Sequence, residues 1–167
     1  MVLAVLVQQE QRDNKFKMAE LKNKKLVAIA ENTKIAADPA EELLLEHAKK
    51  SGNPFTESSL SLTAISTENR EDKLGYLEGT SMQGRFYLFR LAVSENNRGQ
   101  GVGSFLMSEL EKIATERGDS EIILDTWNFQ SEQFYAGLGY DVIGRIPDLP
   151  NGAGKVWMRK KLLSKNS

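Results

Sequence analysis

Cysteine is absent from all 167 residues. Disulfides, thiolate metal sites and any route through an acyl-cysteine are therefore excluded. The absence fits a reducing cytosol. One histidine, His47, is present, so a His-rich metal site is excluded too, and no metal is expected. Neither sign of charge dominates: 22 Lys and Arg face 23 Asp and Glu, a net charge of −1 at pH 7. No overall field draws the chain to nucleic acid or to a membrane surface. Long apolar runs are missing as well. The longest candidate, MVLAVLV at the start, is too short to cross a bilayer. It also lacks the basic lead and the small-residue cleavage site of a secretory signal. It reads as a loose or sheet-edge N-terminus of a cytoplasmic protein.

What is present suits one domain with a single core. The chain is 40% hydrophobic and 27% charged, ordinary for a soluble globular fold. Residues 1–23 read as an N-terminal extension, in which Arg12, Lys15, Lys17 and Lys22 mix with Glu10, Asp13 and Glu20 as a solvated lead-in. Residues 24–167 read as the domain. KKLVAIAE, 24–31, is a first strand. ADPAEELLLEHAKKSG is a helix with Asp38 to cap it, Pro39 at its first position and Gly52 to close it. His47 falls on that helix, where a surface or packing role is expected. SSLSLTAISTE, KLGYLEGTSM and RFYLFRLAV form an antiparallel meander. A helix over 102–117 buries Val102, Phe105, Leu106, Leu110, Ile113 and Ala114 on one face and ends at Gly118. SEIILDTW is a buried strand, SEQFYAGLGY a short helix stopped at Gly139, and DVIGRIP and KVWMRKKL two final strands. The expected order is β-α-β-β-β-α-β-α-β-β.

RGQGVGS, 98–104, joins the third meander strand to the clearest helix. A helix start leaves about four backbone N–H groups unpaired, a ready site for an anion. Gly99, Gly101 and Gly103 let phosphate oxygens approach the main chain without a Cβ in the way. Arg98 adds a permanent charge with a forked donor set. A pyrophosphate needs these features. A bulky residue at Gly101 is expected to block this site with little damage to folding. The Walker pattern fails here, because no lysine precedes Ser104. The dinucleotide fingerprint also fails, because the spacing is G-x-G-x-G after an antiparallel run.

Arg98-Gly99-Gln100-Gly101-Val102-Gly103 resembles the R/Q-x-x-G-x-G/A signature of the GNAT N-acetyltransferase superfamily. About 25 residues on, Asn128, Tyr135, Gly139 and Tyr140 match that family's N-x-x-A-x-x-x-Y-x-x-x-G-F/Y block, with Ser131 for the alanine. The final third also resembles a bacterial subgroup, through Phe129-Gln130, Phe134-Tyr135 and Pro150-Asn151-Gly152. Ala153 stands where that subgroup usually has histidine. The resemblance implies an α/β (α+β) fold: a mixed, mostly antiparallel central sheet, flanked by helices and splayed in the middle for acetyl-CoA. It implies that the backbone of Leu91, Ala92 and Val93 pairs with the pantetheine arm. The pyrophosphate would rest on the amides of Gly99, Gln100, Gly101, Val102, Gly103 and Ser104, beside Arg98. Asn128 would contact pantetheine, or else cap the short helix.

Acyl transfer to an amine needs a neutral amine, donors for the developing oxyanion and a proton for the leaving thiolate. Tyr135 matches the family's general acid, and the amide of Val93 is the candidate oxyanion donor. Glu78 and Asp125 are candidates for base or substrate binding. The expected enzyme is an acetyl-CoA-dependent N-acetyltransferase acting by direct attack of a primary amine on a small molecule or peptide. A non-catalytic CoA-binding module of the same fold is the alternative. An RNA-binding reading rests on Arg159, Lys160, Lys161 and Lys165, which read more simply as an edge strand and solvated tail. Exposed sheet edges leave a homodimer open.

Overall fold

The computed structural model describes residues 4–8, 26–31, 39–129, 131–148, 150 and 152–162. Asp38, the basic lead-in before residue 26, Gln130, Asn151 and Lys165 lie outside the described residues. Eight strands form one sheet among those described: β1 (Ala4–Gln8), β2 (Leu26–Glu31), β3 (Glu57–Ser66), β4 (Lys73–Met82), β5 (Arg85–Val93), β6 (Glu121–Trp127), β7 (Asp141–Ile146) and β8 (Lys155–Lys161). The helices are α1 (Pro39–Lys50), α2 (Val102–Arg117) and α3 (Glu132–Gly137). Strand order across the sheet is β1-β2-β3-β4-β5-β6-β8-β7. The expected meander is present as β3, β4 and β5, paired antiparallel. β1 is the element the expected order lacks. It lies within residues 1–23 and joins the sheet by pairing parallel to β2, so five residues of the expected extension belong to the sheet.

α2 has the boundaries its pattern predicts because a glycine stands at each end in the left-handed region, Gly101 at φ 83° and Gly118 at φ 88°. Such φ values are open to glycine and strained for most other residues. Val102, Phe105, Leu106, Leu110 and Ala114 are buried, as expected. Ile113 is only partly buried, and Met107 is fully buried instead. α2 comes close to the sheet over Gly75, where a Cβ would lie 2.9 Å from Val102 Cγ1 and 3.1 Å from Leu106 Cδ1. On α1, His47 is exposed, as a surface role requires.

Two irregularities shape the centre of the sheet. The first is a bulge. Glu78 pairs with Arg90 and Gly79 with Leu88, which leaves Phe89 unpaired and pointing outward. The extra residue switches the pleat. Phe86 and Leu88 face the core before it, and Leu91 and Val93 pack on the core after it. Without the bulge, Arg90 and Ala92 would point there. The second is a split. β5 and β6 run parallel but pair only at Phe86–Ile122, Tyr87–Ile123 and Leu88–Leu124. Beyond Leu88 the two strands diverge, which is the splay expected of the sheet.

Candidate active site

The split opens into a cleft of about 900 Å³. Its walls come from three places: the end of β5, the turn into α2, and β6 with α3. The β5 wall offers backbone. Ser94 N–H donates to Leu74 O at 3.0 Å across β4. Antiparallel pairs alternate in the direction of their polar groups. The N–H and C=O of Val93 and Leu91 are therefore turned away from β4, toward the opening, and those of Ala92 toward β4. Arg98 Nε donates to Val93 O at 3.3 Å from the cleft side, in line with that direction.

The α2 wall offers amides. The first backbone bond of α2 runs from Phe105 N–H to Gly101 O, 2.9 Å. The amides of residues 99–104 make no hydrogen bond to another described residue. Gly99 and Gly101 both have positive φ, 70° and 83°. Gly103 does not; it is small for a different reason, since a Cβ there would lie 3.2 Å from Phe134 Cζ. The three glycines thus serve turn geometry and packing as well as access. The expectation that a bulky residue at Gly101 would spare folding is corrected by its left-handed backbone.

The third wall carries side chains. Asp125, Ser131, Phe134 and Tyr135 line the cleft. Tyr135 is 7% exposed. Its ring is held edge-on by Phe134 (centroids 5.0 Å) and by Tyr140 (5.8 Å). Burial, and then the nearby charge of Asp125, push its hydroxyl up to about 12. Asp125 Oδ2 accepts a 2.5 Å hydrogen bond from Lys155 Nζ. Deeper still, the Tyr140 hydroxyl has no hydrogen-bond partner among the described residues. Burial raises its pKa far above the usual phenol range, and the Glu111 carboxylate adds to the shift.

Three of the residues singled out in the sequence do not line the cleft. Asn128 ties down the turn before β8: its Nδ2 donates to Asp148 Oδ1 (2.8 Å) and Gly152 O (3.0 Å), and its Oδ1 accepts from Gly154 N–H (3.2 Å). It does not cap α3 either; Ser131 holds that position. Gln100 Nε2 donates to Asn96 O within the turn, 2.8 Å. Glu78 accepts from Tyr76 Oη and Arg90 Nη1, each at 2.6 Å. Conversely, Asn97, Arg90 and Thr126 line the cleft without having been marked in the sequence, and Ser131 and Phe134, noted there only as motif matches, line it as well. The spacing of three between Leu88 and Leu91, in a strand otherwise alternating by two, was the available sign of the bulge that brings Arg90 there.

Residues 30–140, well over half of the chain, match the model of the Acetyltransferase (GNAT) family. The chain belongs to the GNAT family. Among GNAT relatives, the chain is similar to the blasticidin-S acetyltransferase of Streptomyces morookaense, 37% identical over 73 residues, which is 43% of this chain and 54% of that protein. The match thus spans about half the length of that relative. A crystal structure of an acetyltransferase from Bacillus cereus superposes with a TM-score of 0.61 at 28% identity, covering 78% of this chain and 97% of that one. An aminoglycoside 6'-N-acetyltransferase complexed with coenzyme A shares the GNAT fold at a TM-score of 0.57 and 18% identity, covering 83% and 99%. Among the described residues no helix is long and apolar enough to cross a membrane.

Proposed function

We propose that this GNAT protein is an acetyl-CoA-dependent N-acetyltransferase that acetylates a primary amine of a small molecule or peptide. The reading is supported by one observation: the β5 backbone turned away from β4, the turn into α2 at Gly99 and Gly101–Ser104, and Tyr135 line a single cleft. These groups fit the cosubstrate. The amides and Arg98, whose terminal nitrogens make no bond to another described residue, suit a diphosphate. The Leu91 and Val93 backbone suits an amide-bearing arm added alongside the strand. Acetyl-CoA supplies an acetyl group activated as a thioester.

The residues then divide the work. Val93 N–H points into the opening, where it can stabilise charge developing on the thioester oxygen. In the reaction the amine nitrogen bonds to the acetyl carbon and the carbon–sulfur bond breaks. The amine gives up one proton to solvent or to a carboxylate, and the sulfur gains one. Both candidate acids have partners, Asp125 in Lys155 and Glu78 in Tyr76 and Arg90, but Asp125 lines the cleft and Glu78 does not. We therefore assign Asp125, of the two, to the acceptor amine. Tyr135, which lines the same cleft, is the group we assign to the departing sulfur. A phenol at about 12 lies roughly 3.5 units above a free thiol near 8.5, so complete proton transfer is uphill by about 5 kcal/mol. Tyr135 therefore acts first as a hydrogen-bond donor, and transfer completes as the sulfur's own basicity rises in the same buried surroundings.

Tyr135→Phe tests this reading. The ring contacts with Phe134 and Tyr140 survive, so acetyl-CoA affinity should stay within about twofold. Turnover, followed as free thiol release over a panel of amines, should fall by about 100-fold or more. Unchanged turnover in the variant refutes the role of Tyr135. A wild-type protein that binds acetyl-CoA but acetylates no amine is the non-catalytic module instead.

A further inference from the structure

The two faces of the split differ in chemistry. The α2 side presents amides and the apolar Leu91 and Val93. The opposite side presents charge and aromatic rings. Side chains alternate along β6, so Ile122, Leu124 and Thr126 are buried while Asp125 and Trp127 turn outward. Phe129 continues that spacing and is 69% exposed. Trp127 and Phe129 stack, with centroids 6.2 Å apart and planes at 16°. Scattered exposed apolar residues are ordinary. Two stacked rings beside a cleft, in line with a carboxylate that lines it, form a platform.

Lys155 shows what that platform holds. It is the register partner of Trp127 on β8. Its ammonium lies 2.5 Å from Asp125 Oδ2 and 5.3 Å from the centre of the Trp127 ring. A carboxylate that accepts from an ammonium lying over an aromatic face is an arrangement that recognises a cationic amine. Across the cleft the charge of Arg90 is matched by Glu78 at 2.6 Å, so that lip does not favour an anionic acceptor.

Resting on the acetyl-transfer reading, we infer that the acceptor is an arylalkylamine: its ammonium docks on Asp125 in place of Lys155, and its ring packs on Trp127 and Phe129. Lys155 is an internal stand-in that yields its position when the acceptor enters. Once docked, the ammonium gives one proton to Asp125 or to solvent, and the neutral amine, at the lip of the cleft that Tyr135 also lines, then attacks and loses its second proton as the sulfur gains one.

Calorimetry on the full chain with phenethylamine and n-butylamine tests the subsite without needing turnover. Phenethylamine should bind about tenfold more tightly, the upper range of one aromatic contact. Trp127→Ala and Phe129→Ala, both at exposed positions and compatible with folding, should each reduce that ratio. Asp125→Asn should weaken both amines. Lys155→Met should strengthen phenethylamine binding several-fold, because the competing ammonium is gone while the apolar stem remains. Equal affinity for the two amines, an unchanged ratio in both aromatic variants, or weaker binding in Lys155→Met overturns the inference. Thiol release from acetyl-CoA separates it from the reading beneath it. If phenethylamine binds with the stated preference but no thiol appears, acetyl transfer falls and the subsite stands. If n-butylamine is turned over as efficiently as phenethylamine, the subsite falls and acetyl transfer stands.

Discussion

Gly101 and Gly103 sit two residues apart at the same helix start, yet replacing each by alanine should have opposite consequences. Gly101 has φ 83° and ψ 7°. An alanine in that region brings its Cβ against the neighbouring carbonyl, at about 1–2 kcal/mol. Alanine is also a clearly poorer N-cap than glycine. For a chain of this size 1 kcal/mol moves Tm by about 2–4 °C, so Gly101→Ala should melt roughly 2–8 °C lower. Gly103 lies inside α2 with ordinary helical φ. Alanine there gains about 0.8–1 kcal/mol of helix propensity. Against that, its Cβ would lie 3.2 Å from Phe134 Cζ and 3.6 Å from Val93 Cγ2. The ring edge must give by a few tenths of an ångström, so the net change should be within about 0.5 kcal/mol. Ligand binding supplies the second readout. Coenzyme A at 100 times its Kd should stabilise the wild type by about 2.7 kcal/mol. That increment should shrink in Gly101→Ala, because relaxing φ re-aims the adjoining amides, and persist in Gly103→Ala. Thermal unfolding of the three proteins with and without coenzyme A measures both effects. A Gly101→Ala protein with wild-type Tm and a wild-type coenzyme A increment would refute the reasoning.

Other outcomes follow from the same geometry. Asn128→Ala removes three hydrogen bonds to the turn before β8 and should cost about 1–3 kcal/mol of stability. Its coenzyme A affinity should stay within about twofold; a tenfold loss by calorimetry would restore a direct pantetheine contact. Gly79→Ala would put a Cβ 2.2 Å from Tyr87 O and 2.5 Å from Phe86 Cε1, so the urea midpoint should drop by the equivalent of about 1–3 kcal/mol or more. An unshifted midpoint contradicts the bulge. Alkaline stability should report Tyr135. The unfolded chain loses the phenol proton near 10 and the folded chain near about 12, so the contribution is full below pH 10 and is lost as pH rises from 10 to 12. Two units correspond to about 3 kcal/mol. Urea unfolding at pH 9 and 11 should show a smaller loss for Tyr135→Phe than for wild type; parallel losses would mean the hydroxyl is not buried.

Much of this was legible in order of residues alone. α2 announces both of its ends, because a left-handed turn at Gly101 and another at Gly118 are local matters of φ. The meander shows in alternation, and the two GNAT motifs show in spacing. The amide cluster needs only a strand, a glycine turn and a helix in succession. Those features depend on residues a few positions apart.

The rest depends on residues far apart in the chain. No local pattern dictates that β5 and β6 pair at three positions and then separate, or that residues 4–8 find β2. Asn128 carries the motif's identity, but a turn about 20 residues away occupies its amide, and only the packed chain brings them together. Tyr135 has an ordinary phenol in the sequence. Its proton is held tightly because Phe134, Tyr140 and the core exclude water, with Asp125 nearby. Sequence determined the elements and the chemistry available to them. Tertiary structure decided which groups lose water, which backbone edge stays open and which motif residues reach the cleft, because desolvation and unpaired hydrogen bonds are properties of neighbours in space.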